Sequence, residues 1–279
     1  MKIKKVGILY HPVKETALSL AQQMEKALVE RGVATWKCSA WELELARTQL
    51  AGTDLILSVG GDGTILRAAQ AVAPQLTPIV GVNLGRLGFM TELGAEEALE
   101  KLPDLLGGEG WIDERSLFEA ELTDDNGQEP ARSFYALNDV VVARGVAARV
   151  IYVEARIDGE LMTTYRADGV ILATATGSTA YSLAAGGPIL YPESEDFLLV
   201  PILSHLSLPY PLVLPAETVI ELRLGAFHPA TLSIDGHINL TLASRATITV
   251  KRSDSKIRFL RVHPVASFYR ALERKLGGK

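Results

Sequence analysis

Over its first hundred residues the chain alternates short apolar runs with stretches whose apolar positions recur every three or four residues. Residues 5–9 have the length and apolar content of a strand. Residues 14–31 carry apolar side chains at helical spacing and end at Gly32, the residue type that closes helices in a left-handed conformation. The same pattern predicts strands over 33–37, 54–59 and 78–82, and helices over 41–50, 65–72 and 95–106. Strands and helices in alternation imply an α/β domain, a mostly parallel sheet with helices on both faces. Sheets of that kind take ligands beyond the carboxyl ends of their strands.

From about Trp111 the period shortens. Residues 117–122 alternate, Asp124-Asp125-Asn126-Gly127 supplies turn chemistry, and 150–157 run into Asp158-Gly159, the strongest short hairpin signal in the chain. Further strands are predicted over 170–173, 218–224, 231–234 and 246–250, so this half is β-rich and sandwich-like. Residues 267–276 return to helical spacing, which predicts a C-terminal helix that packs back on the first domain. The expected division is therefore 1–110, 111–262 and a tail over 263–279.

Composition narrows the function classes. Hydrophobic residues are 48% of the chain and charged residues 22%, enough for a sizeable core and unlike a disordered chain. Net charge is −5, from 28 Lys and Arg against 33 Asp and Glu, without the basic excess of a nucleic-acid binder. An anionic ligand would have to find its positive potential in backbone N–H groups, a few arginines or a bound cation. Cys38 is the single cysteine, which precludes an intramolecular disulfide framework and suits a reducing compartment. The apolar run at 6–10 is too short for a signal peptide. The greasy stretch 198–216 is broken by Pro201, His205, Pro209, Pro211 and Pro215 and cannot span a membrane. A cytoplasmic protein with no membrane and no nucleic-acid partner is expected.

Two segments carry candidate chemistry. Gly60-Gly61-Asp62-Gly63-Thr64 joins an apolar strand to a helix. Glycines let backbone approach a ligand closely, and N–H groups at a helix N-terminus attract phosphate. The loop has neither the lysine of a P-loop nor the G-x-G-x-x-G spacing. Asp62 would repel phosphates unless it serves a metal or takes a proton from an attacking hydroxyl, and both roles suit phosphoryl transfer. The plainer reading is a tight turn with Asp62 or Thr64 as helix cap. In the second half, Arg166-Ala167-Asp168-Gly169 precedes a strand, and a hydroxyl-rich run from Thr174 leads to Gly186-Gly187-Pro188. The hydroxyls of Thr176, Ser178 and Thr179 can bond phosphate or ribose oxygens, and Tyr181 can stack on a flat ring. Capping and turn formation are the alternative use of such hydroxyls. Two glycine-bearing strand-to-helix turns in different halves suggest one ligand held in a cleft between domains.

Residues 60–64, the run from Asn83 to Phe89, Asn138-Asp139 and residues 168–189 together resemble the motifs of the NAD kinase family, in its order and spacing. The likeness spans nearly the whole chain. It implies a nucleotide-binding first domain, an NAD-binding second domain, a divalent metal cation such as Mg2+, ATP or polyphosphate as phosphoryl donor, NAD as acceptor, and a homodimer or homotetramer. By position, Asp62 resembles the proton acceptor for the 2′-hydroxyl of the adenosine ribose, with Gly61, Gly63, Thr64 and Arg67 around it. Asn138 and Asp139 resemble residues that hold the dinucleotide, although the family often has Glu at the second place. Arg149, Arg166, Asp168, Thr179, Ala180, Tyr181, Ser182, Leu183 and Ala184 match binding positions. So does His237, in Asp235-Gly236-His237, where the family often has glutamine. Ala175 and Ala167 also depart from the common proline and glycine. The five histidines lack metal-ligand spacing, so no protein metal ligand and no catalytic histidine is assigned. A kinase of another hydroxyl acceptor, lipid or sugar phosphate, would share the glycine loop but give no reason for the 176–184 segment. A non-catalytic dinucleotide sensor would give no reason for Asp62.

Overall fold

The computed structural model describes residues 3–85, 88–124, 130–145, 149–205, 208–226, 229–264 and 267–276. Arg86 and Leu87 of the 83–89 motif, and residues 125–127 of the expected turn, lie outside the described residues. Two compact units account for the chain. One is Met1–Glu114 with Ile257–Lys279, the other Arg115–Lys256.

The first unit opens with β1 (Lys5–Tyr10), α1 (Glu15–Val29), β2 (Ala34–Ser39), α2 (Leu43–Gln49), β3 (Leu55–Gly60), α3 (Asp62–Val72) and β4 (Ile79–Asn83). It continues through β5 (Leu93–Gly94), α4 (Ala95–Glu100) and α5 (Leu102–Gly107) to the start of β6 (Trp111–Thr123). Strands β2, β1, β3 and β4 lie side by side and parallel, as the alternating pattern requires, with β5 also parallel to β4. Their side chains, among them Val6, Ile8, Leu57 and Val82, form a core with Ala17, Leu20, Met24 and Leu28 of α1. The helix expected over 95–106 is two short helices that meet at Lys101. Pro103 is the cause, since it lacks the N–H that would bond the Leu99 carbonyl.

The second unit holds β7 (Arg132–Ala136), β8 (Asp139–Arg144), β9 (Ile151–Ile157), β10 (Glu160–Ala167), β11 (Gly169–Ala173), α6 (Tyr181–Ala184), β12 (Phe197–Ile202), β13 (Leu212–Leu214), β14 (Ile220–Leu224), β15 (Ala230–Ile234) and β16 (Ile238–Leu242). One antiparallel sheet runs β13–β12–β11–β8–β15–β16. A second antiparallel layer includes β10, β9 and β14 with the first part of β17 (Thr247–Arg261). Phe118, Val142, Val153, Leu172, Phe197 and Leu222 fill the space between the two layers. Asp158 and Gly159 both take positive φ, 51° and 83°, and close the β9–β10 hairpin as their sequence predicts. Alternate residues of β11 face opposite ways, with Val170 and Leu172 toward the inter-sheet core and Ile171 and Ala173 toward a second apolar cluster with Leu198 and Val200.

The chain passes between the units inside β6 and again inside β17. The last part of β17 is a parallel neighbour of β4, with Phe259 opposite Ile79. Helix α7 (Ser267–Leu276) coincides with the predicted tail helix and belongs to the first unit. Among the described residues no helix is long and apolar enough to cross a membrane.

Candidate active site

Strand β3 is buried throughout and delivers the glycine loop at its carboxyl end. A β-carbon on Gly60 would overlap the Thr64 side chain, so this glycine is required by the fold itself. Gly61 is the extended N-cap residue of α3, and Thr64 N–H and Ile65 N–H donate to its carbonyl at 2.9 and 3.1 Å. The helix therefore starts at Asp62, a turn earlier than apolar spacing predicts, because its first turn is polar. Neither Asp62 nor Thr64 is the N-cap. A β-carbon on Gly61 or Gly63 would meet nothing within 4 Å. Packing does not demand glycine at either place, yet glycine there leaves backbone open beside a helix end whose first N–H groups have no intrahelical acceptor.

Asp62 is half-buried and held by a segment 27 residues away. Phe89 N–H donates to its Oδ2 at 2.8 Å and Met90 N–H to its Oδ1 at 3.2 Å. A β-carbon on Gly88 would overlap the carboxylate, and Gly88 N–H is tied to Thr91 Oγ1 at 2.6 Å. Further along α3, the Arg67 guanidinium lies 4.2 Å from the centroid of Trp41, and His11 meets the same ring edge-on at 4.7 Å. Burial lowers the pKa of Arg67, and burial followed by the Lys14 charge lowers that of His11.

In the second unit β11 leads into the other loop. A β-carbon on Gly177 would overlap the Asn138 carbonyl, to which Thr174 N–H also donates at 2.9 Å, so this loop is seated on residues 137–138. Most of its hydroxyls serve the loop. Thr174 Oγ1 donates to Leu137 O at 2.5 Å, and Ser178 Oγ to Ala175 O at 2.7 Å while accepting Leu190 N–H at 3.0 Å. Thr179 Oγ1 donates to Thr176 O at 3.2 Å, and Thr176 Oγ1 accepts from Arg115 at 3.3 Å. The hydroxyls of Ser178 and Thr179 thus bond carbonyls of their own loop, the turn-forming use of such groups, while that of Thr176 bonds Arg115 of β6. Two buried atoms differ: Asn138 Oδ1 and Ser182 Oγ have no hydrogen-bond partner. Native structures leave few buried polar atoms in that state, and a bound ligand is one way to complete them. On α6, Tyr181 and Ala184 are exposed and Leu183 is half-buried, as is Ala180 just before it.

Asn138 and Asp139 are both buried and are positioned from the β15–β16 hairpin. Asp235, at φ 50°, accepts Leu137 N–H at 2.9 Å, Asn138 N–H at 2.7 Å and Asp139 N–H at 3.1 Å. Burial, and then the Asp235 charge, push the Asp139 carboxyl up to about 7. His237 sits on the same hairpin with Nδ1 3.1 Å from Asp235 O. Asp168 pairs with Arg144 at 3.1 Å. Arg166 is half-buried, its carbonyl accepting His205 N–H at 2.7 Å, and Arg149 is exposed.

Comparison with known proteins places this arrangement. The sequence pattern of the ATP-NAD kinase N-terminal domain matches residues 12–110, and that of the ATP-NAD kinase C-terminal domain matches 137–262. The NAD kinase of Dehalococcoides mccartyi is 50% identical over 99% of this chain and 96% of its own length. This chain belongs to the NAD kinase family. The NAD kinase of Chloroflexus aurantiacus is 40% identical over 98% of this chain and 99% of its own. Among solved structures, yeast NADH kinase complexed with NADH superposes with a TM-score of 0.88 at 26% identity, over 99% of this chain and 88% of that one. An NAD kinase from Archaeoglobus fulgidus in complex with ATP gives 0.76 at 26% identity, over 96% and 99%.

Within this NAD kinase family member, several residues around the candidate site carry no local sequence signal. Trp41 under Arg67, Arg115 on Thr176, Arg144 on Asp168 and Asp235 under Asn138 all act across long separations. Only Asp235, next to Gly236 in a turn dipeptide, could have been marked as a hairpin residue from sequence. Among the described residues no three His, Cys, Asp or Glu side chains come together as a metal cage.

Proposed function

We propose that this protein is an NAD kinase that transfers the terminal phosphoryl group of ATP to the 2′-hydroxyl of the adenosine ribose of NAD, giving NADP. The observation that carries the reading is the Asp62 carboxylate, fixed by two backbone N–H bonds at the first turn of α3 and flanked by glycines that packing does not require. In this reading Asp62 accepts the proton of the attacking hydroxyl, and the open backbone at Gly61 and Gly63, with Thr64 behind it, receives phosphate oxygens. Arg67 adds positive charge on the same helix. Asn138 and Asp139 hold the dinucleotide, with Asn138 Oδ1 and Ser182 Oγ as the buried acceptors that await a donor. Tyr181 supplies a ring to stack on. Arg149, Arg166, Asp168, Thr179, Ala180, Leu183, Ala184 and His237 are assigned to binding by their match to family positions. The yeast relative with NADH and the archaeal relative with ATP support the choice of acceptor and donor.

A divalent cation, Mg2+ in this reading, fits as a companion of the donor. Mg2+ is commonly held by substrate phosphates, water and one or two carboxylates, which matches a protein with a lone carboxylate in the loop and no three-ligand cluster among the described residues. When bound it would neutralise charge on the transferring phosphoryl group. Asp62 is the side chain that could touch it. The reading extends to a homodimer or homotetramer in the cytoplasm. Cys38 suits that compartment as an inert thiol, buried and pushed up to about 11 by that burial.

The test uses purified protein with NAD, ATP and Mg2+, and reads product with an NADP-specific dehydrogenase. Asp62→Asn keeps the shape but cannot take a proton, so kcat should fall by about 10²–10⁴. NAD affinity by calorimetry should hold or tighten, since a negative charge beside phosphates is removed. A variant with near-normal kcat ends the catalytic claim.

A further inference from the structure

Arg261, near the end of β17, is almost fully buried among acids. Its Nε donates to Asp113 Oδ2 at 2.9 Å, and its Nη1 reaches Glu92 Oε2 at 3.2 Å and the Met90 carbonyl at 2.8 Å. Asp113 and Glu92 are buried as well. Glu92 Oε1 accepts Val262 N–H at 2.8 Å and His263 N–H at 2.7 Å, which pins the strand end to the segment after Met90. Glu92 N–H in turn donates to Gly81 O of β4 at 2.8 Å. The imidazole of His263 closes the cluster between Glu92 and Glu97, at 3.1 and 2.9 Å.

The cluster has a second end. Met90 carries Arg261 on its carbonyl and Asp62 on its N–H. Two hydrogen bonds on one residue therefore join a buried guanidinium to the carboxylate assigned above as proton acceptor. We propose that Arg261 is a positioning residue for Asp62, acting through Met90. The proposal rests on the reading of Asp62 as the base.

Stability alone is a poor reason for such a cluster. A buried ion pair replaced by apolar residues of like volume is often neutral or stabilising, because taking charges out of water is costly. What the guanidinium provides is direction: its planar fork can hold two carboxylates and one carbonyl at fixed angles, which an ammonium on a flexible stem cannot. Fixing the Met90 carbonyl fixes where residues 88–90 lie, and those residues set the rotation of the Asp62 carboxylate. Gly88 passes directly against that carboxylate, where a β-carbon would overlap it.

The experiment is a double-mutant cycle on the full chain. Arg261→Lys keeps the charge and leaves no buried carboxylate without a cation, while removing the fork. Its kcat should fall about tenfold to 10²-fold, the range expected when a reacting group is displaced by a fraction of an ångström to one ångström. KM for NAD should stay within about threefold, since no dinucleotide contact is altered. In an Asp62→Asn background the same change should cost less than about twofold, because the group it positions no longer accepts a proton. Equal losses in both backgrounds, or an unchanged kcat with Asp62 present, would overturn the proposal. A near-normal rate for Asp62→Asn alone would instead remove the base reading, and this proposal with it. If Arg261→Lys melts without a cooperative transition, Glu92→Gln takes its place under the same criteria. That variant keeps one oxygen to accept Val262 and His263 N–H, and it replaces the charged acceptor facing Arg261 with an amide NH2.

Discussion

Tyr181 begins a helix of only four residues and leaves 47% of its surface open. A side chain so exposed adds little to the core, so its removal separates binding from folding cleanly. Tyr181→Ala should raise KM for NAD by about tenfold or more, near 30-fold at the middle of the roughly 1–3 kcal/mol that stacking of a base on an aromatic ring is worth. The melting temperature should move by no more than a few degrees. An unchanged KM in steady-state kinetics would show that the ring stacks on nothing. At this scale the sequence offers its clearest candidates where the signal is local, as with Asp62 among glycines and Tyr181 on a small-residue loop. It is least readable where a side chain works at a distance, as with Arg261, whose partners Asp113, Glu92 and Met90 lie 148 to 171 residues away. On hydroxyls the sequence leaves both uses open, since Ser178 and Thr179 look alike whether they face a ligand or cap their own turn.

Strand β8 and the β15–β16 hairpin meet at two carboxylates, and that meeting has a pH signature. Asp139 titrates near 4 in an unfolded chain but at about 7 in the fold. Between those values the folded protein holds a proton that the unfolded chain has released. Its contribution to stability is therefore complete below about pH 4 and disappears as pH rises through about 7. Asp139→Asn should flatten that part of the profile, raising the melting temperature relative to the parent at pH 8 more than at pH 5. Equal differences at both pH values, by calorimetric melts, would contradict this. Element by element, the first unit is largely legible from sequence because one-sided helices and short apolar runs alternate there. In the second unit β8 and β12 pass unnoticed. Strands such as β11, buried on both faces, read as unbroken apolar runs rather than as alternation. β17 is legible only to about residue 250, beyond which Lys251, Arg252, Asp254 and Lys256 interrupt the pattern while backbone pairing carries the strand on to Arg261.

At the scale of the molecule, the proposed donor and acceptor both carry phosphate charge, while the chain has net charge −5 and no lysine in its glycine loop. Excess EDTA, after stripping of bound metal, should abolish NADP formation, and added Mg2+ should restore it; full turnover in EDTA would refute the cation requirement. The whole chain has another property that no single element carries. Its first unit is written in two pieces, with the entire second unit between them. Ile79 of β4 must wait for Phe259, 180 residues later, before that stretch of the parallel sheet is complete. At translation rates of about 5–20 residues per second, the delay is roughly 9 to 36 seconds. During that interval β4 has, among the described residues, only the two-residue β5 on that side, and sheet edges left open invite mispairing. The buried arginine behind the glycine loop arrives with the same late strand. A nascent chain can thus complete its second unit while the first, which holds Asp62, still lacks a strand, so the first unit closes only after Phe259 has been made.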